Sequence, residues 1–321
     1  MSASARLIAL DWGTSSLRAY LLGDGGAVLD EVSLPWGIMA TPDGDFAKAL
    51  ETATAPWRRV HPDLPMIAAG MIGSAQGWRQ VPYVSCPAGP SELAADIGRQ
   101  AADPNIPLPI VPGVSIDGDI PDVMRGEETQ VLGALHLAPH LFHRSLLVMP
   151  GTHSKWVSVQ DGAITDFTTY LTGELFAVLA RHSILGRPAI EAARDVPPAN
   201  APVSWDSFER GVRMVRDTPS RGLSSLLFSA RTLVLAGRLA PSDSLDYLSG
   251  LVIGEELRGA LAPRKAGDGG PLALIGEKTL CERYRRALVL FGIAEAPIIA
   301  GASAAGLWRI AAQSFPHVAC A

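Results

Sequence analysis

Residues 146–166, LLVMPGTHSKWVSVQDGAITD, repeat the layout of residues 7–30, LIALDWGTSSLRAYLLGDGGAVLD. In both stretches an apolar run ends in a turn holding Gly-Thr, at Gly13-Thr14 and at Gly151-Thr152. A serine stands two residues beyond each Thr (Ser16, Ser154), followed by a second apolar strand and an Asp-Gly turn at Asp24-Gly25 and Asp161-Gly162. A long self-similarity of this kind sets the architecture, here two related β-hairpin units. Gly lets a backbone approach a ligand closely, and adjacent N–H groups with hydroxyls form a concavity suited to phosphate oxygens. Gly, Ser, Thr and Asp also favour ordinary turns, so either turn alone says little. Their repetition, with Asp11 at the end of the first strand, points to two phosphate-binding turns facing each other across a cleft.

The 321 residues suggest two domains. A hydrophobic share of 48% with 18% charged residues describes a soluble globular chain. No apolar run approaches the ~18–20 residues a membrane span requires, and MSASARLIALDWG enters a strand too early for a signal peptide. Cys86, Cys281 and Cys320 are widely spaced and form no metal-ligand pattern, which fits a reducing cytoplasm. The net charge of −5 argues against a nucleic-acid partner. An anionic ligand must then be held by local groups. Lys occurs only at positions 48, 155, 265 and 278, so Lys155 beside the second turn stands out.

Along the chain, residues 6–34 read as three strands. Asp11 is placed to face a ligand or a Mg²⁺ ion, which takes one or two carboxylates plus waters and phosphate oxygens. Arg18, on the second strand, either reaches an anion or decorates an exposed face. Residues 43–60 have helical spacing that stops near Pro56, and 65–78 form a strand emptying into a loop with Gly70, Gly73, Ser74, Gln76 and Gly77, residues able to line a sugar pocket. A helix over 91–102 and a proline-rich connector with a short strand around Ile110 follow. From Pro121 onward the pattern predicts an acid-rich helix start bearing Asp122, Arg125, Glu127 and Glu128. Acids there also complement a helix dipole in any protein; the functional reading is that one of them is a general base or organises Mg²⁺. Thr172-Gly173-Glu174 caps a helix, helices occupy about 203–216, 221–237 and 243–261, and 263–271 is a loop. Two strand–Gly–helix units close the chain, turning at Gly276 and Gly301.

The blocks LDWGTSSLRAYLL, AAGMIGSAQGW, YVSCPAG, DVMRGEETQVLGAL, PGTHSKWV, LTGELFAVLARHSILG and LALIGEKTLC together resemble the 2-dehydro-3-deoxygalactonokinase family, within the actin/hexokinase-type ATPase superfamily. The resemblance spans the whole chain. It implies an α/β, two-domain actin-like ATPase (ribonuclease H-like) fold with a duplicated hairpin unit and an interdomain cleft. The expected boundaries are 1–138, 139–300 with a helical insertion, and a C-terminal helix in 301–321 packing back toward the first domain. The implied activity is transfer of the ATP γ-phosphoryl group to the 6-hydroxyl of 2-dehydro-3-deoxy-D-galactonate, with Mg²⁺, in galactonate or galactose breakdown.

Carried onto this sequence, the resemblance implies that Asp11 organises Mg²⁺ and that Gly13, Thr14 and Ser15 surround the phosphates. Gly151, Thr152, His153, Ser154 and Lys155 form the opposing turn, and Gly276 approaches the adenosine. Sugar kinases of this fold favour Asp122 as the base, whereas RGEET resembles the related polyphosphate phosphatases and favours Glu127 or Glu128; Asp122 is preferred narrowly. Pro150 stands where the superfamily usually has an Asp, which removes a second metal-organising acid. The substrate contacts are expected among Gly73, Ser74, Glu174 and one arginine (Arg18, Arg79 or Arg125) that pairs with the substrate carboxylate. The competing readings are a polyphosphate or guanosine-polyphosphate hydrolase and a non-catalytic sugar-acid sensor. A homodimer and the epimer preference are left open, as is the role of the helices at 188–262.

Overall fold

A computed structural model describes residues 4–103, 105–192, 203–262, 270–315 and 318. The N-terminal part runs β1 (Ala5–Trp12), β2 (Leu17–Gly23), β3 (Val28–Leu34), α1 (Phe46–Val60), β4 (Met66–Ala69), β5 (Tyr83–Ser85), α2 (Pro90–Ala101), β6 (Gly113–Ile116), β7 (Asp122–Met124) and α3 (Glu127–Leu137). Then come β8 (Arg144–Met149), β9 (Ser154–Gln160), β10 (Ala163–Tyr170), α4 (Thr172–His182), α5 (Arg187–Ala192), α6 (Trp205–Arg216), α7 (Leu223–Leu227), α8 (Ser229–Leu235) and α9 (Ser244–Leu261). The chain closes with β11 (Leu272–Ile275), α10 (Lys278–Leu290), β12 (Ile298–Ile299) and α11 (Ala302–Ser314).

One sheet has the strand order β3-β2-β1-β4 and a second the order β10-β9-β8-β11-β12; β5-β6-β7 form a small third sheet. In the first two, three successive strands lie side by side and a later strand flanks the first of them. The chain divides into two compact units, one of residues 1–147, 157–168 and 299–321, the other of 148–156 and 169–298.

In the first unit, β1 pairs antiparallel with β2 and parallel with β4, which sets Asp11 opposite both Arg18 and Ala69. Buried between neighbours, β1 is apolar on both faces: Ile8, Leu10 and Trp12 pack with Leu50, Ala53 and Trp57 of α1 and with Ile72 and Val81. α1 runs through Pro56 instead of stopping there. Trp57, one residue on, is buried and donates its indole N–H to Asp30 at 2.8 Å, so a side-chain anchor holds the last turn against the cost of the proline. The stretch expected to open a helix at Pro121 is first strand β7, paired with β6, and the helix starts only after Gly126. The strand expected around Ile110 is a single bridge to Ala68, the real strand being β6. α11 packs on α3 at backbone distance: a Cβ on Gly306 would come within 1.8 Å of the Thr129 carbonyl oxygen, and one on Gly133 within 1.9 Å of that of Ala302.

In the second unit, α6 and α9 cross as closely, a Cβ on Gly250 falling 2.0 Å from the Phe208 carbonyl oxygen. Tyr247, Leu248 and Leu251 of α9 anchor a core with Val215, Leu226 and Ala230. The expected helix over 221–237 divides into α7 and α8. Residues 263–269 of the expected loop, and Cys320, lie outside the described residues. No helix among the described residues is long and apolar enough to cross a membrane.

Candidate active site

In the first unit, three chain segments meet at the ends of β1 and β4 and the start of α3. Gly70 has φ +98° and Gly126 φ +109°, a region that favours glycine. A Cβ on Gly70 would lie 2.7 Å from the Trp12 carbonyl oxygen, and one on Gly126 3.1 Å from the Gly70 Cα. Two bare glycines thus bring Asp11-Trp12-Gly13, the 70–74 loop and Arg125-Gly126-Glu127-Glu128 together.

Asp11 accepts a hydrogen bond from the Ser303 hydroxyl at the start of α11. Burial pushes its carboxyl above the ordinary carboxylate range, against the lowering effects of Ser303 and Arg18. Arg18 faces Asp11 across the strand pair and bonds to Tyr20, two residues along the same face. Beyond Asp11, Gly13 closes a turn by donating its N–H to the Ser16 carbonyl at 2.9 Å, and Thr14 and Ser15 stand exposed. Gly37 packs directly under this turn, where a Cβ would fall 2.1 Å from the Thr14 oxygen.

Arg125 separates itself from the other arginines. Its side chain is 8% exposed, its Nη2 donates to the Val81 carbonyl at 2.7 Å, and its guanidinium lies over the Tyr83 ring. Among the described residues its Nε and Nη1 are buried without a hydrogen-bond partner, and so is the Ser74 hydroxyl. A Cβ on Gly73 would sit 3.0 Å from Arg125 Nη1, so the glycine makes room for the guanidinium. Buried donors are nearly always satisfied, and orphans of this kind point to a missing acceptor. Arg79, in contrast, is committed to Gln100 Oε1 and the Leu108 carbonyl.

The three candidate acids differ in setting. Asp122 lies on β7, on the same face as buried Met124, and accepts from the Val123 N–H at 2.7 Å. Glu127 is half-buried and accepts from the Arg125 N–H at 3.1 Å. Glu128 is 0% exposed and holds the start of α3, accepting from the Gly126 N–H at 2.7 Å and the Thr129 hydroxyl at 3.1 Å. Burial pushes the Glu128 carboxyl up to about 8.

In the second unit, Thr152 and His153 are exposed on the 150–155 turn. The start of α4 packs against it: a Cβ on Gly173 would come within 2.3 Å of the Gly151 oxygen, and Glu174 N–H donates to the Thr152 carbonyl at 2.9 Å. The Glu174 carboxylate holds His153 Nε2 at 2.6 Å. Gly276 also approaches, its Cβ position 3.2 Å from the Pro150 oxygen. Lys155 is 4% exposed, and its ammonium forms no hydrogen bond or ion pair among the described residues. Ser154 turns the other way: fully buried, its hydroxyl donates to Glu256 at 2.7 Å, so that side chain is not directed at a phosphate. Thr172 is the first residue of α4 rather than its cap, and its hydroxyl also bonds Glu256. Ser303, Trp156, Tyr284 and Glu256 were missed from sequence; only Ser303 carried a signal, as the residue two beyond the Gly301 turn.

A family model described as 2-keto-3-deoxy-galactonokinase matches residues 11–310. The chain belongs to the 2-keto-3-deoxy-galactonokinase family.

A relative from Rhizobium meliloti, described as a probable 2-dehydro-3-deoxygalactonokinase, is 39% identical over 97% of this chain and 100% of its own length. The 2-dehydro-3-deoxygalactonokinase of Escherichia coli is 35% identical over 96% of this chain and 98% of its own. A crystal structure from Sinorhizobium meliloti, provisionally described as a 2-dehydro-3-deoxygalactonokinase, superposes with a TM-score of 0.83 at 37% identity, covering 97% of this chain and 99% of that one. The activator of 2-hydroxyisocaproyl-CoA dehydratase from Clostridium difficile, solved with bound ADPNP, shares the fold alone, at a TM-score of 0.50 and 12% identity over 96% and 95% of the two chains. The galactonokinase family thus carries the mixed α/β, two-domain actin-like ATPase fold, and its members are ATP-dependent kinases of a sugar substrate.

Proposed function

We propose that this enzyme transfers the γ-phosphoryl group of ATP to the 6-hydroxyl of 2-dehydro-3-deoxy-D-galactonate. The observation that carries the substrate assignment is the pair of orphan Arg125 nitrogens, with the orphan Ser74 hydroxyl next in sequence to Gly73, the glycine that lies against Arg125 Nη1. A carboxylate supplies acceptors for all of these donors and compensates the buried guanidinium charge, whereas a neutral sugar would leave that charge unmatched.

Phosphoryl transfer asks a protein mainly to position groups and neutralise charge. In this reading the exposed turns at Gly13-Thr14-Ser15 and Gly151-Thr152-His153 contact phosphate oxygens. Lys155, buried and without a partner among the described residues, supplies a charge to them. Glu174 holds the His153 ring in one orientation, and Gly276 gives the adenosine close access to the backbone. Asp122 takes the proton of the 6-hydroxyl, supported by its place on the inner face of β7 three residues before Arg125. Glu128, fully buried at a helix start, is better suited to holding Gly126 in place.

Asp11 fits a Mg²⁺ ion through water. It is a single half-buried carboxylate with the Ser303 hydroxyl and Arg18 beside it, and no cluster of three acidic, His or Cys ligands occurs among the described residues. Such a set suits an ion that keeps most of its waters and binds phosphate oxygens. When bound, the ion neutralises charge on the transferring phosphoryl group. The free thiols Cys86 and Cys281 suit a reducing, cytoplasmic setting.

Mass and phosphorus-31 NMR analysis of the product from Mg-ATP and the sugar acid tests the reading. A single monophosphate ester at C6 supports it; inorganic phosphate with unchanged sugar acid contradicts it.

A further inference from the structure

Glu256, in the middle of α9, is 2% exposed, and no cation is paired with it among the described residues. Its Oε1 accepts from Ser154 Oγ and Trp156 Nε1, each at 2.7 Å, and its Oε2 accepts from the Tyr284 hydroxyl at 2.6 Å. The Thr172 hydroxyl is a further donor. Burial raises its pKa, and these hydrogen bonds oppose the rise. Burying a carboxylate among neutral donors is costly, and a well-packed apolar side chain would serve stability as well or better. The arrangement therefore asks what else the carboxylate fixes.

The donors come from three elements: β9 and α4 adjoin the 150–155 turn directly, and α10 begins two residues after Gly276, which approaches it. Ser154 and Trp156, one residue apart on the same face of β9, continue directly from the turn. Thr172 opens α4, whose Gly173 lies against Gly151 and whose Glu174 binds both Thr152 and His153. Tyr284 lies on α10, which begins just after Gly276, the residue that approaches Pro150. Trp156 can only donate through its indole nitrogen, so Oε1 must remain an acceptor and the side chain has one workable orientation.

We propose that Glu256 is a positioning residue for nucleotide binding: by accepting hydrogen bonds from β9, α4 and α10 at once, it holds the Gly151–Lys155 turn, His153–Glu174 and Gly276 in one register. The proposal rests on the reading of that turn as the phosphate-binding one. It assigns Glu256 no contact with substrate, and it makes nucleotide affinity, not sugar-acid affinity, the quantity Glu256 controls.

The test compares wild type with Glu256→Ala, Glu256→Gln and Tyr284→Phe. The readouts are KM for Mg-ATP, KM for the sugar acid, thermal midpoint, and ADP affinity by calorimetry without sugar acid. Glu256→Ala is expected to raise KM for ATP and weaken ADP binding by about tenfold or more, with KM for the sugar acid within about twofold. Glu256→Gln should restore most of this, because its carbonyl can still accept from Ser154 and Trp156 while the Tyr284 and Thr172 hydroxyls turn to accept from the amide. If the Ala variant does not fold, Tyr284→Phe decides, with a rise in KM for ATP of about threefold expected. Unchanged ADP affinity in a folded Glu256→Ala or in Tyr284→Phe overturns the proposal, as does an equal change in both KM values. The calorimetric arm separates this from the kinase reading, since ADP binding can be measured whether or not the wild type turns over a sugar acid.

Discussion

Arg125 carries its guanidinium carbon 4.3 Å from the centre of the Tyr83 ring, while its Nε and Nη1 have no acceptor among the described residues. The ring holds the charge by a cation–π contact and leaves the nitrogen edge unpaired. Arg125→Ala should therefore raise KM for the sugar acid by about 10–100-fold, the range of one charged hydrogen-bonding interaction, and leave KM for ATP nearly unchanged. Arg125→Lys should recover little, because an ammonium does not reproduce the planar set of donors. Arg79→Ala is the contrast: with its guanidinium committed to Gln100 and Leu108, it should lower the thermal midpoint and spare both KM values. Steady-state kinetics with either substrate varied checks all three, and equal changes in both KM values for Arg125→Ala would sink the assignment.

Asp122, Glu127 and Glu128 can be told apart by the same kinetics. As the base, Asp122 should lose about 10²–10⁴-fold in kcat as Asn, with KM values little moved. Glu127→Gln and Glu128→Gln should each keep kcat within about tenfold. A larger loss in Glu128→Gln than in Asp122→Asn would transfer the role to Glu128.

The buried Glu128 also makes stability depend on pH. Its carboxyl titrates at about 8 in the folded chain against an ordinary value of 4.5. Between those values the folded state keeps a proton that the unfolded state releases, so stability falls as pH rises through this window and is level on either side. The contribution is on the order of a few kcal/mol. Glu128→Gln carries no proton to lose and still offers a carbonyl to the Gly126 N–H. Urea denaturation at pH 6 and pH 8.5 should show a smaller pH-dependent loss in Glu128→Gln than in wild type. Identical losses would show that Glu128 is ionised in the folded protein.

Asp11 should show stability and activity moving in opposite directions. Burial raises its pKa despite Ser303 and Arg18, so the ionised form is held at a cost to folding. Asp11→Asn should keep or raise the thermal midpoint while lowering kcat and raising the Mg²⁺ concentration needed for half-maximal rate. A variant with unchanged Mg²⁺ dependence would remove Asp11 from the metal site.

Much of this arrangement was legible in the residues because it is local. The three opening strands follow from apolar runs broken by Gly and Asp turns, and the two Gly-Thr turns from their repetition. The helix expected at Pro121 shows where local reading fails: acids after a proline resemble a helix start, but pairing with β6 draws Asp122–Met124 into a strand and delays α3 to Glu127. Pro56 misleads in the same way, since the indole of Trp57 bonding Asp30 is a tertiary contact. Within the site, Gly70 is legible only as a loop glycine and Gly126 falls inside the expected helix start, because their close approach is a tertiary contact. Glu256 gave no signal at all, because its meaning lies in Ser154 and Trp156, about a hundred residues away. The three candidate arginines were indistinguishable by spacing and separate only when their partners are known.

The measurement that bears most directly on the kinase assignment is ADP release from Mg-ATP, with 2-dehydro-3-deoxy-D-galactonate, with its gluconate epimer, and with neither. The account predicts release that depends on the galactonate substrate and is at background without a sugar acid. Phosphate and ADP release of equal rate in all three conditions would contradict it and point to a hydrolase.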